Sequence, residues 1–230
     1  MRVWRRHDEY STHYEDMLVS TETIQRELAH VYWLGGAPCS GKSSVADTLV
    51  AKYGWQLYRC DEAYERHISI VTPEEQPIFS QLSTLTGDAL WMRPLAQQIS
   101  EEIGLYQEEL PLILDDLLAL PKTTPVLVEG AALLPHLVDP LLVARHHALW
   151  MVPVPEFQMK HYMQREWAQE IVAACTHPEQ AFANWMQRDI SFAVYVTQKA
   201  LEQGSFLIRV DGSHSLEENI EMVERHFREM

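Results

Sequence analysis

Cysteine is scarce in this chain, and so is positive charge. Cys39, Cys60 and Cys175 are the only cysteines and form no CxxC pair. That excludes a disulfide framework and a zinc knuckle, and it suits a reducing compartment. Lysine and arginine number 18 against 33 aspartates and glutamates, a formal charge of −15. A non-specific nucleic-acid binder draws its affinity from neutralising phosphates, so this balance argues against that role while leaving room for a local basic pocket. No run reaches the roughly 18 consecutive apolar residues of a membrane span. Arg2, Arg5 and Arg6 are followed by His7, Asp8, Glu9 and Tyr10 rather than by an apolar signal core. The expectation is a soluble cytoplasmic protein, monomer or homodimer, that partners neither nucleic acid nor membrane.

What is present is enough for one ordinary domain. The 230 residues are 47% hydrophobic, 10% aromatic and 22% charged, a composition that buries a full core and excludes wholesale disorder. Residues 1–20 are weakly patterned and read with 21–29 as an N-terminal arm and short helix. Five short apolar runs read as strands: 30–34, 55–60, 126–128, 148–152 and 206–210. Helical periodicity fills the intervals, including long stretches at 70–120 and 155–203, the second broken at Thr176-His177-Pro178. Ser215-Leu216-Glu217-Glu218 reads as a capping box opening the last helix. Strands alternating with helices predict an α/β fold, a parallel five-stranded sheet covered on both faces in three layers, with helical insertions.

The strongest chemical signal is Gly36-Ala37-Pro38-Cys39-Ser40-Gly41-Lys42-Ser43, followed by Ser44. It fits G-x-x-x-x-G-K-[ST], entered by an apolar strand and left by an amphipathic helix. Its glycines let backbone N–H groups wrap a phosphate while the helix start points its positive dipole at the anion. In such a loop Lys42 reaches the β- and γ-phosphates of ATP and Ser43 supplies a ligand to Mg²⁺. Cys39 lies inside the loop, where a small residue that fills the turn suffices; the alternative is that those same N–H groups and Lys42 lower its pKa and make it oxidisable.

This motif and its surroundings resemble the P-loop small-molecule kinases, the group of nucleoside and nucleoside-monophosphate kinases, shikimate and gluconate kinases and uridine kinase-like enzymes. The resemblance runs from about residue 30 to the end and is carried by short motifs. It implies an ATP-dependent transferase acting on a small-molecule acceptor, with residues 70–120 on the acceptor side and 155–203 as a lid. Asp61, just beyond the second strand, then contacts the acceptor hydroxyl as general base, with Glu62 a weaker candidate. Val128-Glu129-Gly130 resembles the V/L-E-G of uridine kinase-like enzymes and places Glu129 near the metal. Arg165 and Arg188 stand where a lid brings cations over the γ-phosphate, ahead of Lys160 and Lys199. Val210-Asp211-Gly212-Ser213 resembles the loop that passes the adenine in nucleoside-monophosphate kinase-like proteins.

Arg66 and Arg93, with Arg59, lie in the segment expected to meet the acceptor, where a basic cluster would suit an anionic or polyhydroxylated molecule. Trp91 offers a ring for stacking there, against the alternative of helix packing. Three other classes fit less well. A GTPase lacks DxxG after the third strand and any NKxD, an ATPase machine needs a partner's arginine, and an interaction module would use residues 70–120 as a docking face. His136, His146, His147 and His161 lack metal-ligand spacing.

Overall fold

The computed structural model describes residues 21–228; the arm expected over residues 1–20 lies outside them. Residues 21–27 are helical (α1) and lead into β1 (Val31–Gly36). The chain continues through α2 (Lys42–Tyr53), β2 (Gln56–Arg59) and α3 (Cys60–His67). Residues 70–120 then hold three helices, α4 (Pro77–Leu82), α5 (Asp88–Trp91) and α6 (Leu95–Ala119). After β3 (Val126–Glu129) and α7 (Pro135–Val138) come β4 (Ala148–Pro153), α8 (Pro155–Met163), α9 (Glu166–Ala173) and α10 (Pro178–Gln203). β5 (Phe206–Val210) and α11 (Leu216–Arg228) complete the described chain.

The five strands form one parallel sheet in the order β2-β3-β1-β4-β5. Alternation along the strands sorts their side chains onto two faces. Val31, Trp33, Val126, Val128, Ala148 and Trp150 face one apolar cluster, closed by Ile113 and Leu117 of α6 and Phe192 and Val196 of α10. Leu34, Leu127, Leu149, Met151 and Ile208 face the other, closed by Val45 and Leu49 of α2 and Val223 and Phe227 of α11. The three central strands are therefore almost wholly buried, while at the edges β2 is half-buried and β5 carries exposed positions. Trp150 is fully buried, yet its indole N–H donates to the Leu133 carbonyl at 2.7 Å, so no polar atom is stranded.

β1 and β4 are neighbours, but the chain leaves β1 toward β2 under α2 and leaves β4 toward β5 under α10, on the opposite face. Such divergence opens a crevice at the carboxyl ends of the strands. A third apolar cluster lies at this end, where Cys39 meets Trp91, Tyr162, Val172 and Trp185. It ties helices α5, α8, α9 and α10 to the loop after β1. Among the described residues no helix is long and apolar enough to cross a membrane.

Candidate functional site

The loop from Gly36 to Gly41 is shaped by backbone rather than by side chains. Gly36 has φ 135°, and a Cβ there would stand 1.9 Å from the Met151 carbonyl oxygen. Only glycine lets the loop leave β1 so close to β4. Cys39 takes a left-handed φ of 64°, alone among the described non-glycine residues, and Gly41 follows at 84°. Ala37 N–H still donates to Met151 O at 3.1 Å, but the N–H groups of residues 39–44 find no acceptor among the described residues. Those of residues 42–44 are the free first-turn donors of α2, and the helix dipole adds to their positive potential.

Lys42 is buried beside them. Its Nζ donates to the Ala37 carbonyl at 2.9 Å and lies 3.5 Å from Ser40 Oγ, which folds the side chain back across the loop. Glu129 Oε1 is 3.9 Å away, and Glu129 Oε2 is 3.7 Å from Arg59. Burial raises the Glu129 carboxyl above its usual range; Lys42, Arg59 and Ser43 pull it down and Asp61 pushes it up. The exposed Ser43, which hydrogen-bonds the buried Glu129, offers with it adjacent hard oxygen donors, a pair suited to Mg²⁺.

Asp61 is exposed in the first turn of α3, whose N-cap is Arg59. β3 and α3 meet closely here, since a Cβ on Gly130 would lie 2.4 Å from that of Cys60. This contact sets Asp61 next to the Glu129 corner and at the edge of a cavity of about 350 Å³. Leu82, Leu90, Leu105, Tyr64 and Tyr106 give the cavity its carbon walls; its charged lining is Asp61, Glu65, Glu102, Glu109, Arg93 and Arg188.

The other expected site residues divide. Arg93 lines the cavity but is ion-paired with Glu101, and its Nε donates to Leu90 O at 3.2 Å. Arg66 stands outside the cavity, exposed and bonded to Asp116 at 2.9 Å. Trp91 is packed in the helical cluster, stacked on Trp185 at 4.5 Å with the Arg188 guanidinium 4.9 Å over its ring. Arg188 enters the cavity wall instead of overlying the loop. Its Nη2 bonds Asp189 at 2.7 Å and its Nε lies 3.4 Å from Glu102. Arg165 stacks against Tyr162 and Trp167 at 5.2 and 5.5 Å and has no carboxylate within ion-pair distance among the described residues. Its field reaches Cys39 in the loop.

Asp211, Gly212 and Ser213 form an exposed turn after β5, closed by Ser213 N–H on Asp211 Oδ1 at 2.9 Å. The reciprocal bonds between Ser215 and Glu218, at 2.7 and 3.2 Å, make the capping box. The side chain of Leu216 lies 3.9 Å from where a Cβ on Gly41 would be, so this turn flanks the loop. Of the two readings of Cys39, the buried loop filler is the one that fits: burial pushes its thiol up to about 11, outweighing Arg165 and Lys42.

Six polar cavity residues escaped sequence reasoning: Tyr64 and Glu65 of α3, and Gln98, Glu102, Tyr106 and Glu109 of α6. The signal was there, since Gln98, Glu102, Leu105 and Glu109 recur at helical spacing and put polar groups on the buried face of α6. Burial pushes the Glu102 carboxyl up to about 7, with Arg188 and Tyr106 pulling it down and Asp189 pushing it up. Glu109 is likewise raised by burial and held in check by His67, 3.1 Å away. No group of three or more potential metal ligands occurs among the described histidines, cysteines and acids.

No family model matches the chain, and no curated protein matches it. Solved structures that resemble it distantly include the following two. An uncharacterized protein from Eubacterium ventriosum is 13% identical with a TM-score of 0.42, the match covering 87% of this chain and 98% of that one. A protein from Chloroflexus aurantiacus, provisionally assigned as a kinase, is 13% identical with a TM-score of 0.38, covering 86% and 98%. At that distance neither likeness bears on the chemistry of this chain.

Proposed function

We propose that the protein is an ATP-dependent phosphotransferase of the P-loop kinase type, carrying the γ-phosphoryl group to a small metabolite. One observation supports this above the others: the glycine-shaped loop and the free first-turn N–H groups of α2 meet at the buried Lys42, and the cavity bearing Asp61 lies beside the Glu129 corner. The N–H groups of residues 39–44 and Lys42 would hold the phosphates. The turn at Asp211, Gly212 and Ser213 flanks the loop where the nucleoside would lie. Ser43 and Glu129 would hold Mg²⁺, which when bound neutralises charge on the phosphates.

Asp61 would take the proton of the attacking acceptor hydroxyl as its oxygen bonds to the γ-phosphorus and the bond to the β–γ bridging oxygen breaks, releasing ADP. Arg165 is the arginine of helices α8–α10 available to the transferring group, because Arg188 is engaged by Asp189 and Glu102. The ring stack on Tyr162 and Trp167 holds Arg165 at the edge of the loop's apolar cluster. Positioning and fixed positive charge, rather than covalent chemistry, then account for the rate.

The test is Mg·ATP binding by titration calorimetry, together with ADP release in the presence of pooled metabolites, for the wild type and Lys42→Ala. The wild type is expected to bind ATP and release ADP with at least one pool, and Lys42→Ala to lose about a hundredfold or more of the turnover. Failure of the wild type to bind ATP would refute the reading. Hydrolysis that no acceptor accelerates would replace transfer by an NTP-driven switch.

A further inference from the structure

The cavity wall carries four carboxylates, Asp61, Glu65, Glu102 and Glu109, against two guanidiniums, Arg93 and Arg188. Both guanidiniums are matched by acids that do not line it, Arg93 by Glu101 and Arg188 by Asp189. Of the four wall carboxylates, Glu109 has His67 beside it and Glu102 shares Arg188 at 3.4 Å. The wall therefore presents an excess of negative charge and no uncommitted cation. An anionic acceptor such as a sugar acid or a nucleoside monophosphate would meet repulsion here.

A second observation says what the wall lacks. Gln98 is only 2% exposed, and its amide nitrogen donates to the carbonyls of Trp91 at 3.2 Å and Arg93 at 2.7 Å. Those two acceptors fix the orientation of the amide, and its Oε1 accepts nothing. One turn along α6, the buried Glu102 Oε2 accepts no hydrogen bond and is met only by the Arg188 guanidinium, whose Nε stands 3.4 Å away. Gln98 Oε1 carries the desolvation cost of an unpartnered buried acceptor, and Glu102, four residues on, has hydrogen-bonding capacity that Arg188 does not fill; a donating ligand would relieve both. A ligand that donates and is also positively charged answers both features at once.

We propose that the acceptor is a small hydroxylated amine, its ammonium group held by Glu102 and Gln98 and its hydroxyl presented to Asp61. This rests on the phosphotransfer reading and names its substrate class. Tyr64 and Tyr106 supply ring faces that suit a cation, and the cavity volume suits a metabolite rather than a polymer.

The experiment uses two matched series: D-glucosamine, D-glucose and D-gluconate, then 2-deoxystreptamine, scyllo-inositol and myo-inositol 1-phosphate. Calorimetric binding is measured without nucleotide, and ADP release with Mg·ATP, for the wild type, Glu102→Gln and the exposed-rim variant Glu65→Gln. At least one amine is expected to bind about tenfold or more tightly than its neutral counterpart, and the anions not at all. Glu102→Gln should raise the KM of that amine about ten- to hundredfold with kcat nearly unchanged. Glu65→Gln, at a solvated position that does not threaten folding, should raise it about two- to threefold.

Better binding or turnover of a neutral or anionic member overturns the inference and leaves phosphotransfer standing. So does an amine preference that neither variant changes, and so does a failure of both amines to bind. If Mg·ATP does not bind, phosphotransfer falls, while amine binding without nucleotide still decides what the cavity takes.

Discussion

Replacing Lys42 with methionine should destabilise the protein in a pH-dependent way even when no nucleotide is present. Lys42 Nζ stands 3.9 Å from Glu129 Oε1, and the other carboxylate oxygen is 3.7 Å from Arg59. At an effective dielectric constant of about 20, a unit charge pair at that separation gains about 4 kcal/mol. Removing the ammonium also removes its own desolvation cost, and Arg59 remains, so the net loss at pH 8 is expected near 2 kcal/mol. Burial already raises the Glu129 carboxyl, and without Lys42 it rises further. An acid whose folded pKa is raised binds its proton more readily in the folded state, so its penalty is absent below the ordinary carboxylate range. The penalty then grows as pH climbs through the folded pKa. The deficit should therefore shrink to under about 1 kcal/mol at pH 5. Urea midpoints at pH 5, 6.5 and 8 for the wild type, Lys42→Met, Glu129→Gln and the double variant measure it. Most of the loss should return in the double variant. A deficit that is flat with pH and undiminished in the double variant would refute the charge account and credit the packed lysine stem instead.

Three further outcomes are expected. Gly36→Ala should lower stability by about 3 kcal/mol in urea denaturation and weaken ATP binding with it, because its Cβ would sit 1.9 Å from Met151 O and its φ is 135°. Glu102, raised to about 7 by burial against the pull of Arg188 and Tyr106, should cost stability on the order of 2 kcal/mol as pH rises from about 4.5 through 7. Urea midpoints across that window should fall in the wild type and run flatter in Glu102→Gln. Cys39, with its thiol pushed up to about 11, should be alkylated by iodoacetamide at pH 7.5 far more slowly in the folded than in the unfolded protein. Equal rates in both states would contradict its burial.

The sheet was legible because its strands are short, apolar and punctuated. All five expected runs are strands, and the order β2-β3-β1-β4-β5 follows no simple reading of sequence order. Lys42 and Glu129 stood out because a strand end, a turn and a charged residue coincide at each. Local pattern failed where tertiary contacts decide the outcome. Trp91 and Arg66 belong to the right stretch of chain, but whether a side chain on a short helix faces a cavity depends on neighbours distant in sequence. Trp185 claims Trp91, and Asp116 claims Arg66. Glu102 and Glu109 recur at helical spacing with Gln98 and Leu105, but that spacing does not say which face of α6 is buried; packing decides it. The alternative of a lowered pKa for Cys39 gave weight to nearby positive charge and none to desolvation, which dominates there.

Arg165 and Arg188 look alike in sequence, each on a helical stretch and each followed at once by an acid, yet packing gives them opposite fates. Neighbours on a helix do not face one another in general, but Asp189 is fully buried and turned so that Arg188 bonds it, while Tyr162 OH donates to the same carboxylate at 2.6 Å. Burial pulls the Arg188 guanidinium down, and Asp189 and Glu102 together outweigh that and hold it charged. Removing Arg188 would strand two buried acids, so this arginine helps to hold the cavity wall together. Arg165 has no such bond to break, and its rings hold it beside the loop at little electrostatic cost. If one cation of this segment moves to meet a transferring phosphoryl group, the energetics favour the one whose departure leaves no buried charge behind.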